Sequence, residues 1–365
     1  MRIAINGWFH GHLTTGSGQY LEALAEWLPR VDGTHGLILI TAAGRRTGEL
    51  AMPANWQIVH ARTPFDRISA NLAKLWFEQV TFPRACRRLR ADVAFVPYWG
   101  SPWWQPCPTV VTVHDLIPLL VPLYRGGMLQ RAYTDLVSRS ARRAAAVLTD
   151  SEASKRDIIA HLGIPAARVH AIHLAADPRY RLVSDPADRA RIRAKYDLPD
   201  GPFFLYLGGF DARKNVGRTI EAYARMGSGV RDQGSGGRDQ GAGVRGQGSG
   251  VRGQESGAGG QESGVSEQGS GVRLVIAGEL PYADTAFAPD PRLVAARLGV
   301  GDCVHFTGWV AEADKPALYS LALATVFVSE YEGFGLPVLE AMACQEVRSV
   351  ECPILSGSPE PPTTS

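Results

Sequence analysis

The stretch SEYEGFGLPVLEAMAC, residues 329–344, decides the architecture of this chain. It overlaps the end of the apolar run ATVFVSE (324–330), which predicts a buried parallel strand that ends in a loop. Pro337 stands where a proline commonly begins a helix, so PVLEAMAC predicts a helix that starts directly after the loop. Gly333 and Gly335 lack a Cβ, so a ligand could approach the backbone of this loop closely. A strand, a glycine loop and a helix in this order predict one unit of a parallel α/β sheet.

Outward from this stretch, short apolar runs alternate with amphipathic helical patterns along most of the chain. The first half contains RIAING, GLILIT, WQIVHA, DVAFVPY, TVVTVHD, AVLTDS and RVHAIHL, and the second half contains FFLYLGGF, RLVIAG and CVHFTGW. GQYLEALAEWLPR and ASKRDIIAHLG predict helices between the strands. The segment at 184–200 begins with a capping Ser or Asp and a proline, and predicts the helix that opens a second unit. The pattern predicts two parallel α/β units, at residues 1–180 and 181–344, with ligands at the carboxyl ends of their strands.

Length and composition agree with a two-domain globular protein. The chain has 365 residues, of which 45% are hydrophobic and 20% charged. The net charge of +2 does not favour nucleic acid as a main partner. No signal-peptide pattern and no apolar run of about 18 residues occurs, so a cytoplasmic protein is predicted. The scattered cysteines predict free thiols in a reducing compartment: Cys86, Cys107, Cys303, Cys344 and Cys352.

Residues 227–273 interrupt the alternation with six seven-residue copies and part of a seventh. The segment holds 17 of the 40 glycines, so the glycine excess is local. Each copy offers at most one valine, which is too little for a coiled-coil seam. The composition predicts a disordered loop between a helix ending near Met226 and a strand starting at Leu274. Deleting residues 228–272 is predicted to leave folding and ligand binding nearly unchanged.

The two glutamates of the opening stretch, Glu332 and Glu340, flank the predicted start of the helix. Free N–H groups and the positive end of the helix dipole form an anion site there. A carboxylate accepts hydrogen bonds well from paired hydroxyl groups. Hydroxyl-binding groups on either side of a bound phosphate describe a site for a nucleotide sugar. The plainer interpretation is that one glutamate is a loop charge and the other a charge on the helix surface.

These residues carry a family resemblance. EGFGLPVLEAMAC resembles the E-x7-E signature of retaining, GT4-type (group 1) glycosyltransferases of the GT-B fold. The resemblance implies two Rossmann-like parallel-sheet domains facing a cleft, the second of them incomplete. TGSGQY, VTVHDLIPLL, VLTDSEASKRDI, LYLGGFDARKN and LVIAGE are similar to other parts of that family, over most of residues 1–344 apart from the repeat. The resemblance implies transfer of a hexose from a nucleotide-diphosphate sugar to an acceptor hydroxyl, in a glycan or a lipid-linked glycan, with retention at the anomeric carbon.

The resemblance also implies roles for individual residues. Glu332 would hold the hydroxyls of the donor sugar, and Glu340 the ribose. His114 would lie near the donor sugar, although a simple His–Asp cap after the strand is the alternative. Arg213 and Lys214 would neutralise the departing diphosphate, against the alternative of a solvated basic turn. The remaining predicted donor contacts are Gly16, Gly18, Gly333, Phe334 and Gly335, and plain turn chemistry is equally compatible with the first two.

No Asp-x-Asp sequence occurs in the chain, so catalysis without a metal or other cofactor is predicted. Trp99, Trp103 and Trp104 form either an acceptor platform or the packing of a proline-rich loop. The basic and aromatic segment at 74–90 is either a membrane-contacting surface or, as we prefer, an ordinary surface helix. Rival functions are a sugar-nucleotide epimerase, a phosphorylase, which would need a pyridoxal-phosphate lysine, and a non-catalytic nucleotide-sugar-binding protein.

The tail at 345–365 departs from the resemblance. The family continues after this point with further strands and helices, whereas the tail has four prolines and one short apolar run. An altered or truncated end is therefore predicted, with an incomplete second domain. The apolar face of the last helix, formed by Val338, Leu339 and Met342, would be partly exposed. The ancestral activity would be glycosyl transfer, and this chain alone would have little or none of it and a poorly ordered second domain.

Overall fold

A computed structural model describes residues 1–12, 15–31, 33–43, 56–232 and 271–345. Their contacts divide the chain into two units. The first consists of Met1–Ala175 together with Tyr331–Leu336. The second consists of Ala176–Glu330 together with Pro337 and the described residues that follow it. The predicted domains placed the loop Tyr331–Leu336 in the second unit, whereas its contacts group it with the first.

The first unit is built on a parallel sheet that has seven strands within the described residues. In spatial order the sheet runs β3-β2-β1-β4-β5-β6-β7. Its strands are β1 (Arg2–Asn6), β2 (Gly36–Ala42), β3 (Trp56–Ala61), β4 (Val93–Val96), β5 (Thr109–Thr112), β6 (Ala146–Thr149) and β7 (Val169–Ala171). Each lies inside one of the apolar runs of the first half of the sequence, except that β2 extends one residue beyond GLILIT. Because all strands are parallel, their carboxyl ends meet at one edge of the sheet.

Helices cover this sheet, and their ends follow local sequence signals. They are α1 (Gly16–Val31), α2 (Ala70–Trp76), α3 (Phe82–Arg88), α4 (Ile117–Leu120), α5 (Met128–Ala141) and α6 (Glu152–Leu162). The side chain of Ser151 caps α6 by accepting from the backbone N–H of Ser154. Gly163 ends the same helix in the left-handed conformation, at φ 63°. A π-helix, Phe77–Thr81, joins α2 to α3.

The two faces of the first sheet bury different residues of the same strands. Ala4 of β1 and Ile40 of β2 belong to the cluster that contains Phe77 and Phe82. Their neighbours Ile5 and Leu39 belong to the cluster under α1. This alternation is the period-2 pattern of a strand buried on both faces.

The second unit contains a parallel sheet with four strands in its described part, in the spatial order β10-β9-β8-β11. The strands are β8 (Phe203–Leu207), β9 (Arg273–Ala277), β10 (Val304–Gly308) and β11 (Ala324–Thr325). The helices are α7 (Pro186–Lys195), α8 (Val216–Asp232), α9 (Pro291–Arg297), α10 (Lys315–Leu321) and α11 (Leu336–Cys344). Asp185 caps α7 with its side chain, and Pro186 is its first residue, as the sequence predicts. The predicted parallel α/β fold class is thus confirmed in both units.

Two expectations about element lengths are wrong. The predicted strand at 324–330 is a strand only over Ala324–Thr325, and both residues are half-buried. Among the described residues β11 pairs with one strand, β8, and is therefore an edge strand and not a central strand of the sheet. Helix α8 runs to Asp232, six residues beyond the predicted end near Met226. The rest of the repeat, from residue 233 to 270, lies outside the described residues, as do residues 346–365 of the tail.

Helix α11 shows the exposure that the sequence predicts. Val338 is 38% exposed and Met342 is 59% exposed, while Leu339 is half-buried. Ala341 and Cys344 on the other face are buried in the core of the second unit. In the described part of the chain, no helix is long and apolar enough to cross a membrane. Cys86, Cys107, Cys303 and Cys344 are free thiols, and Cys352 lies outside this part.

Candidate active site

His114 and Asp150 form the best-defined polar pair at the carboxyl edge of the first sheet. His114 follows β5 and Asp150 follows β6, and these strands are neighbours. The His114 Nδ1 atom lies 2.7 Å from Asp150 Oδ2, and the Asp150 side chain is nearly buried. Because Asp150 occupies Nδ1, the His114 Nε2 atom remains for other contacts, and it is buried without a hydrogen-bond partner among the described residues. The alternative interpretation, a simple His–Asp cap after the strand, therefore does not describe His114, which pairs with Asp150.

The residues around His114 hold the ring from two sides. The Tyr20 ring on α1 meets the His114 ring edge-on, with centroids 4.8 Å apart. Burial raises the pKa of Tyr20, and the negative charge of Asp150 raises it further, so this phenol stays protonated. Asp115, the next residue, does act as a cap, because its Oδ1 accepts from the Ile117 N–H at the start of α4.

The loop Tyr331–Leu336 packs on the same edge of the first unit. The Gly333 carbonyl accepts hydrogen bonds from Ser151 Oγ at 2.6 Å and from Ser154 Oγ at 3.1 Å. Both serines lie at the start of α6. A Cβ on Gly333 would lie 2.7 Å from the His114 carbonyl oxygen, so only glycine permits this approach. The Tyr331 hydroxyl donates to Asp157 Oδ2 at 2.6 Å, which fixes the start of the loop.

The other predicted residues of this loop adopt the same docked arrangement. The Phe334 ring lies beside the His173 ring, with centroids 6.1 Å apart. Gly335 has a φ of 99°, which a residue with a side chain rarely adopts. Glu332 is half-buried in the loop. The first unit thus brings Glu332, Gly333 and His114 to one edge of its sheet.

The predicted glycines at the start of α1 differ from each other. A Cβ on Gly18 would lie 1.9 Å from the His12 carbonyl oxygen, so the turn before α1 requires a glycine there. A Cβ on Gly16 would meet no atom within 4 Å. Local packing therefore accounts for Gly18, and a donor contact for either glycine stays a prediction.

Arg213 and Lys214 lie after the carboxyl end of β8 in the second unit, in a short 3-10 helix, Ala212–Lys214. Arg213 Nε lies 3.1 Å from Asp211 Oδ1, and both side chains are mostly buried. The Arg213 carbonyl accepts from the Glu330 N–H at 2.8 Å. Lys214 Nζ lies over the Phe327 ring, 5.8 Å from its centroid. These contacts hold both cations in place instead of leaving them on a solvated turn.

Glu340 lies on α11 in the second unit. Its Oε2 accepts a hydrogen bond of 3.0 Å from the Tyr319 hydroxyl of α10. Burial raises the pKa of Glu340, while the Tyr319 hydrogen bond and the charge of Lys315 act in the opposite direction. The nearby charge of Glu312 raises the pKa again. Glu340 is therefore a partly buried, oriented carboxylate and not a solvated charge on the helix surface.

The loop after β4, which carries Trp99, Trp103 and Trp104, divides into two parts. Trp99 packs against the core of the first unit, as the packing interpretation predicts. Trp103 and Trp104 are 46% and 43% exposed, so that interpretation is wrong for them. Gln79 holds the loop, because it donates to the Ser101 carbonyl and accepts from the Trp103 N–H.

Sequence reasoning missed Asp150, Tyr319 and the serines of α6 as parts of the candidate site. Asp150 had a usable signal, since it directly follows the apolar run AVLT, as His114 follows TVVTV. Ser151 and Ser154 carry the pattern of a helix cap, which explains them locally and hides their second contact. Tyr319 is one of several aromatic residues on an ordinary helix, so the sequence held no signal for its bond to Glu340.

Comparison with known families identifies the class of protein. The profile of Glycosyltransferase Family 4 matches residues 14–180, and the profile of Glycosyl transferases group 1 matches residues 263–347. The first match contains Gly16, Gly18 and His114, and the second contains the glycine loop with Glu332 as well as Glu340, whereas Arg213 and Lys214 lie between the two matches. The chain belongs to the GT4-type, group 1 glycosyltransferases, a family of enzymes.

The curated relatives that match include a mannosyltransferase and a kanosaminyltransferase. The O-antigen chain mannosyltransferase B of Escherichia coli is 27% identical over 64% of this chain. The alpha-D-kanosaminyltransferase of Streptomyces kanamyceticus is 27% identical over 62% of it. In each case the match covers 50% of the relative, so the chain spans about half the length of these proteins.

Solved structures with the same fold support the GT-B assignment. A sucrose-phosphate synthase from Thermosynechococcus elongatus has a TM-score of 0.59 at 18% identity, covering 94% of this chain and 79% of that one. The Anabaena protein HepE, solved with UDP, has a TM-score of 0.58 at 15% identity, covering 94% and 78%. WaaG, a glycosyltransferase of lipopolysaccharide biosynthesis, has a TM-score of 0.55 at 15% identity, covering 94% and 79%. At these identities the likeness concerns the fold.

Proposed function

We propose that this chain carries the catalytic residues of a retaining transferase that moves a hexose from a nucleotide-diphosphate sugar to an acceptor hydroxyl. One observation carries the proposal. The glycine loop with Glu332 docks at the strand ends that hold the His114–Asp150 pair, and Gly333 approaches the His114 backbone too closely for any side chain. The carboxyl ends of parallel strands are where such sheets bind ligands.

The first unit supplies the groups for the sugar. Glu332 accepts hydrogen bonds from the hexose hydroxyls and orients the ring, and His114 lies beside the same sugar. The bond between the anomeric carbon and the diphosphate oxygen breaks, and a bond from that carbon to the acceptor oxygen forms. The departing phosphate takes the acceptor's proton on the same face, which gives retention without an enzymic nucleophile.

The second unit supplies the groups for the nucleotide. Arg213 and Lys214 stabilise the negative charge that develops on the diphosphate, because fixed cations act most strongly where water is excluded. Glu340 accepts hydrogen bonds from the ribose hydroxyls. No metal is required in this proposal, so added EDTA leaves donor binding and turnover unchanged.

The donor proposal is tested by thermal shift with UDP- and GDP-hexoses. At least one of these raises the melting temperature of the wild-type chain, and Glu340→Gln removes the rise. Glu221→Gln, a change of the same kind on α8, keeps it. If no nucleotide sugar shifts the wild-type melting temperature, the donor site is refuted. The anomeric configuration of the product, read by NMR, tests retention.

A second candidate is a nucleotide-sugar-binding protein without turnover. Val338 and Met342 are exposed on the helix that carries Glu340. Burying each such side chain would contribute about 1.5–3 kcal/mol to stability. Their exposure therefore leaves this helix less stable, which favours binding without catalysis. Binding of the donor without product formation would select this candidate. Product formation by this chain, together with strong amide-exchange protection at 324–344, would exclude it.

The acceptor proposed for this activity is a glycan or a lipid-linked glycan, and the location proposed is the cytoplasm or the inner face of the membrane. The aromatic residues Phe77 and Phe82 of the basic segment are fully buried in the core. A membrane contact would therefore use the exposed arginines of α3 and the partly exposed Trp76. Sedimentation with anionic vesicles, compared with neutral ones, tests this contact.

A further inference from the structure

A buried ionic network lies at the carboxyl edge of the first sheet, apart from the residues already discussed. Its centre is the Glu78 carboxylate, which is fully buried in the π-helix Phe77–Thr81. Lys74 Nζ lies 2.7 Å from Glu78 Oε1, and the Tyr133 hydroxyl donates to the same carboxylate at 2.9 Å. Lys74 also donates to the Tyr133 oxygen. The network ties α2, the π-helix and α5 together.

A π-helix begins at Phe77, beside the Lys74–Glu78 pair, which itself has the i, i+4 spacing of an α-helix. Phe82 N–H donates to the Phe77 carbonyl five residues earlier, so the extra residue of a π-turn is inserted there. With this turn, Phe77 and Phe82, five residues apart, lie in the same core cluster. π-turns are rare in helices and are frequently found at functional sites.

The network reaches the ends of the central strands. The Tyr98 hydroxyl, after β4, donates to Asn6 Oδ1, at the end of β1. Asn6 Oδ1 also accepts the Trp8 N–H, which fixes the orientation of the amide. Asn6 Nδ2 is buried and has no hydrogen-bond partner among the described residues. An unsatisfied buried donor is costly, so a network that contains one is not explained by stability alone.

Lys74 is the member of the network that a ligand can reach. Its side chain is 23% exposed, whereas that of Glu78 is not exposed at all. Three aromatic rings surround the ammonium, with centroids at 4.3 Å for Tyr133, 5.5 Å for Tyr98 and 5.9 Å for Phe9. Two of its three N–H donors are used by Glu78 and Tyr133, so one donor remains.

The charge of the network favours a neutral ligand. Lys74 and Glu78 together carry no net charge, in contrast to Arg213 and Lys214, which suit a diphosphate. Burial and the neighbouring carboxylate raise the pKa of Tyr98 and of Tyr133, so both phenols stay neutral. A neutral pair bordered by aromatic rings suits a sugar, whose hydroxyls accept hydrogen bonds and whose C–H faces stack on rings.

The position of the network matches the reaction. β1, β4 and β5 are consecutive in the sheet, and neighbouring strands lie about 4.8 Å apart. The ends of β1 and β4, which the Tyr98–Asn6 hydrogen bond joins, are therefore roughly 5–10 Å from the backbone of His114, which follows β5. Lys74, whose ammonium lies 5.5 Å from the centroid of the Tyr98 ring, borders the same edge of the sheet as His114.

We propose that Lys74, held by Glu78 and Tyr133, binds a hydroxyl group of a neutral sugar in the acceptor. This inference rests on the proposed transfer to a glycan acceptor and adds the residue that selects it. Lys74 donates its remaining N–H to the sugar, and the Tyr98 and Phe9 rings border the sugar face. Lys74 is a positioning residue for the acceptor and takes no part in the bond-breaking step.

The test uses the full chain and saturation-transfer NMR titrations with the methyl glycosides of mannose, glucose, galactose and N-acetylglucosamine. At least one glycoside binds the wild type, and Lys74→Met weakens it at least tenfold, equivalent to about 1.4 kcal/mol. Because Lys74→Met strands the buried Glu78 charge, the double variant Lys74→Met/Glu78→Gln is measured beside it and shows the same loss. Lys155→Met, the same change on α6, leaves binding unchanged.

Three outcomes overturn the proposal. These are no binding by any glycoside, equal binding by wild type and the folded double variant, and tighter binding of mannose 6-phosphate that depends on Lys74, which would assign the site to an anion. Nucleotide-sugar thermal shifts are recorded on the same samples. If the Lys74 variants keep the nucleotide-sugar thermal shift but lose glycoside binding, the acceptor site is supported. If the wild type binds a glycoside but shows no nucleotide-sugar thermal shift, only the proposed donor site is refuted.

Discussion

Replacing Gly333 with alanine should release the loop Tyr331–Leu336 from the first unit. The new Cβ would lie 2.7 Å from the His114 carbonyl oxygen and 3.2 Å from Asp115 Cβ. A backbone oxygen at 2.7 Å cannot move aside as the end of a flexible side chain can. The loop must therefore shift, and the two hydrogen bonds from Ser151 and Ser154 to the Gly333 carbonyl are lost with it.

The size of the effect follows from those two bonds. Each contributes about 0.5–1.5 kcal/mol, so together they favour the docked loop by about 1–3 kcal/mol. That free energy corresponds to a change of roughly 5- to 150-fold in the docked population. Because Glu332 is carried by the loop, the affinity for the donor sugar should fall by a similar factor.

Hydrogen exchange of the amides at 331–336 measures the docking directly, and calorimetric titration with the nucleotide sugar measures the affinity. Gly127→Ala is the matched control, because a Cβ there meets no atom within 4 Å. Ser151→Ala combined with Ser154→Ala should reproduce part of the effect without the steric clash. Wild-type exchange rates and affinity in Gly333→Ala would refute the docked arrangement.

Three further predictions concern ionisable groups. In Asp150→Asn, His114 loses its charged partner, and ¹⁵N NMR should show its ring changing from one dominant tautomer to a mixture. In Tyr319→Phe, loss of the hydrogen bond raises the pKa of Glu340 further. When the pH is lowered from 7.5 to 5, Glu340 should therefore become protonated, and nucleotide affinity should be lost, at a higher pH than in the wild type. Burial raises the pKa of Glu78, so the folded wild type binds a proton more readily than the unfolded chain and is destabilised as the pH rises above about 4.3. Urea unfolding should therefore show the wild type gaining stability relative to Glu78→Gln as the pH is lowered from 7 to 5; an unchanged difference would contradict the raised pKa.

The sequence predicts the strands of the first sheet well because each is buried on both faces. Exposing runs such as GLILIT to water would be costly, because nearly all of their side chains are apolar. In the folded sheet, alternate residues of each strand face the core on either side. The strand at 324–330 has an equally apolar sequence but forms only two residues, because an apolar run does not reveal which neighbours will pair with it. Pairing partners are distant in sequence, so strand length at a sheet edge is set outside the run itself.

The candidate site was predictable where the chemistry lies on one short segment. Glu332, Gly333 and Glu340 share a stretch whose glycines and proline mark its geometry. The bonds that orient these residues come from elsewhere, and the hydroxyl of Tyr319 is one example. Nothing local distinguishes this tyrosine from a core tyrosine, so its role became visible only in the folded unit.

The grouping of Tyr331–Leu336 with the first unit limits how this protein can be recombined. The chain leaves the first unit after Ala175 and returns to it for these six residues, so the unit is discontinuous in sequence. A chimera joined to a relative at Ala175 would take Ser151 and Ser154 from one parent and Gly333 from the other. Exchange of specificities within the family should therefore succeed more often when the loop is transferred together with the first unit than when the crossover follows the sequence order.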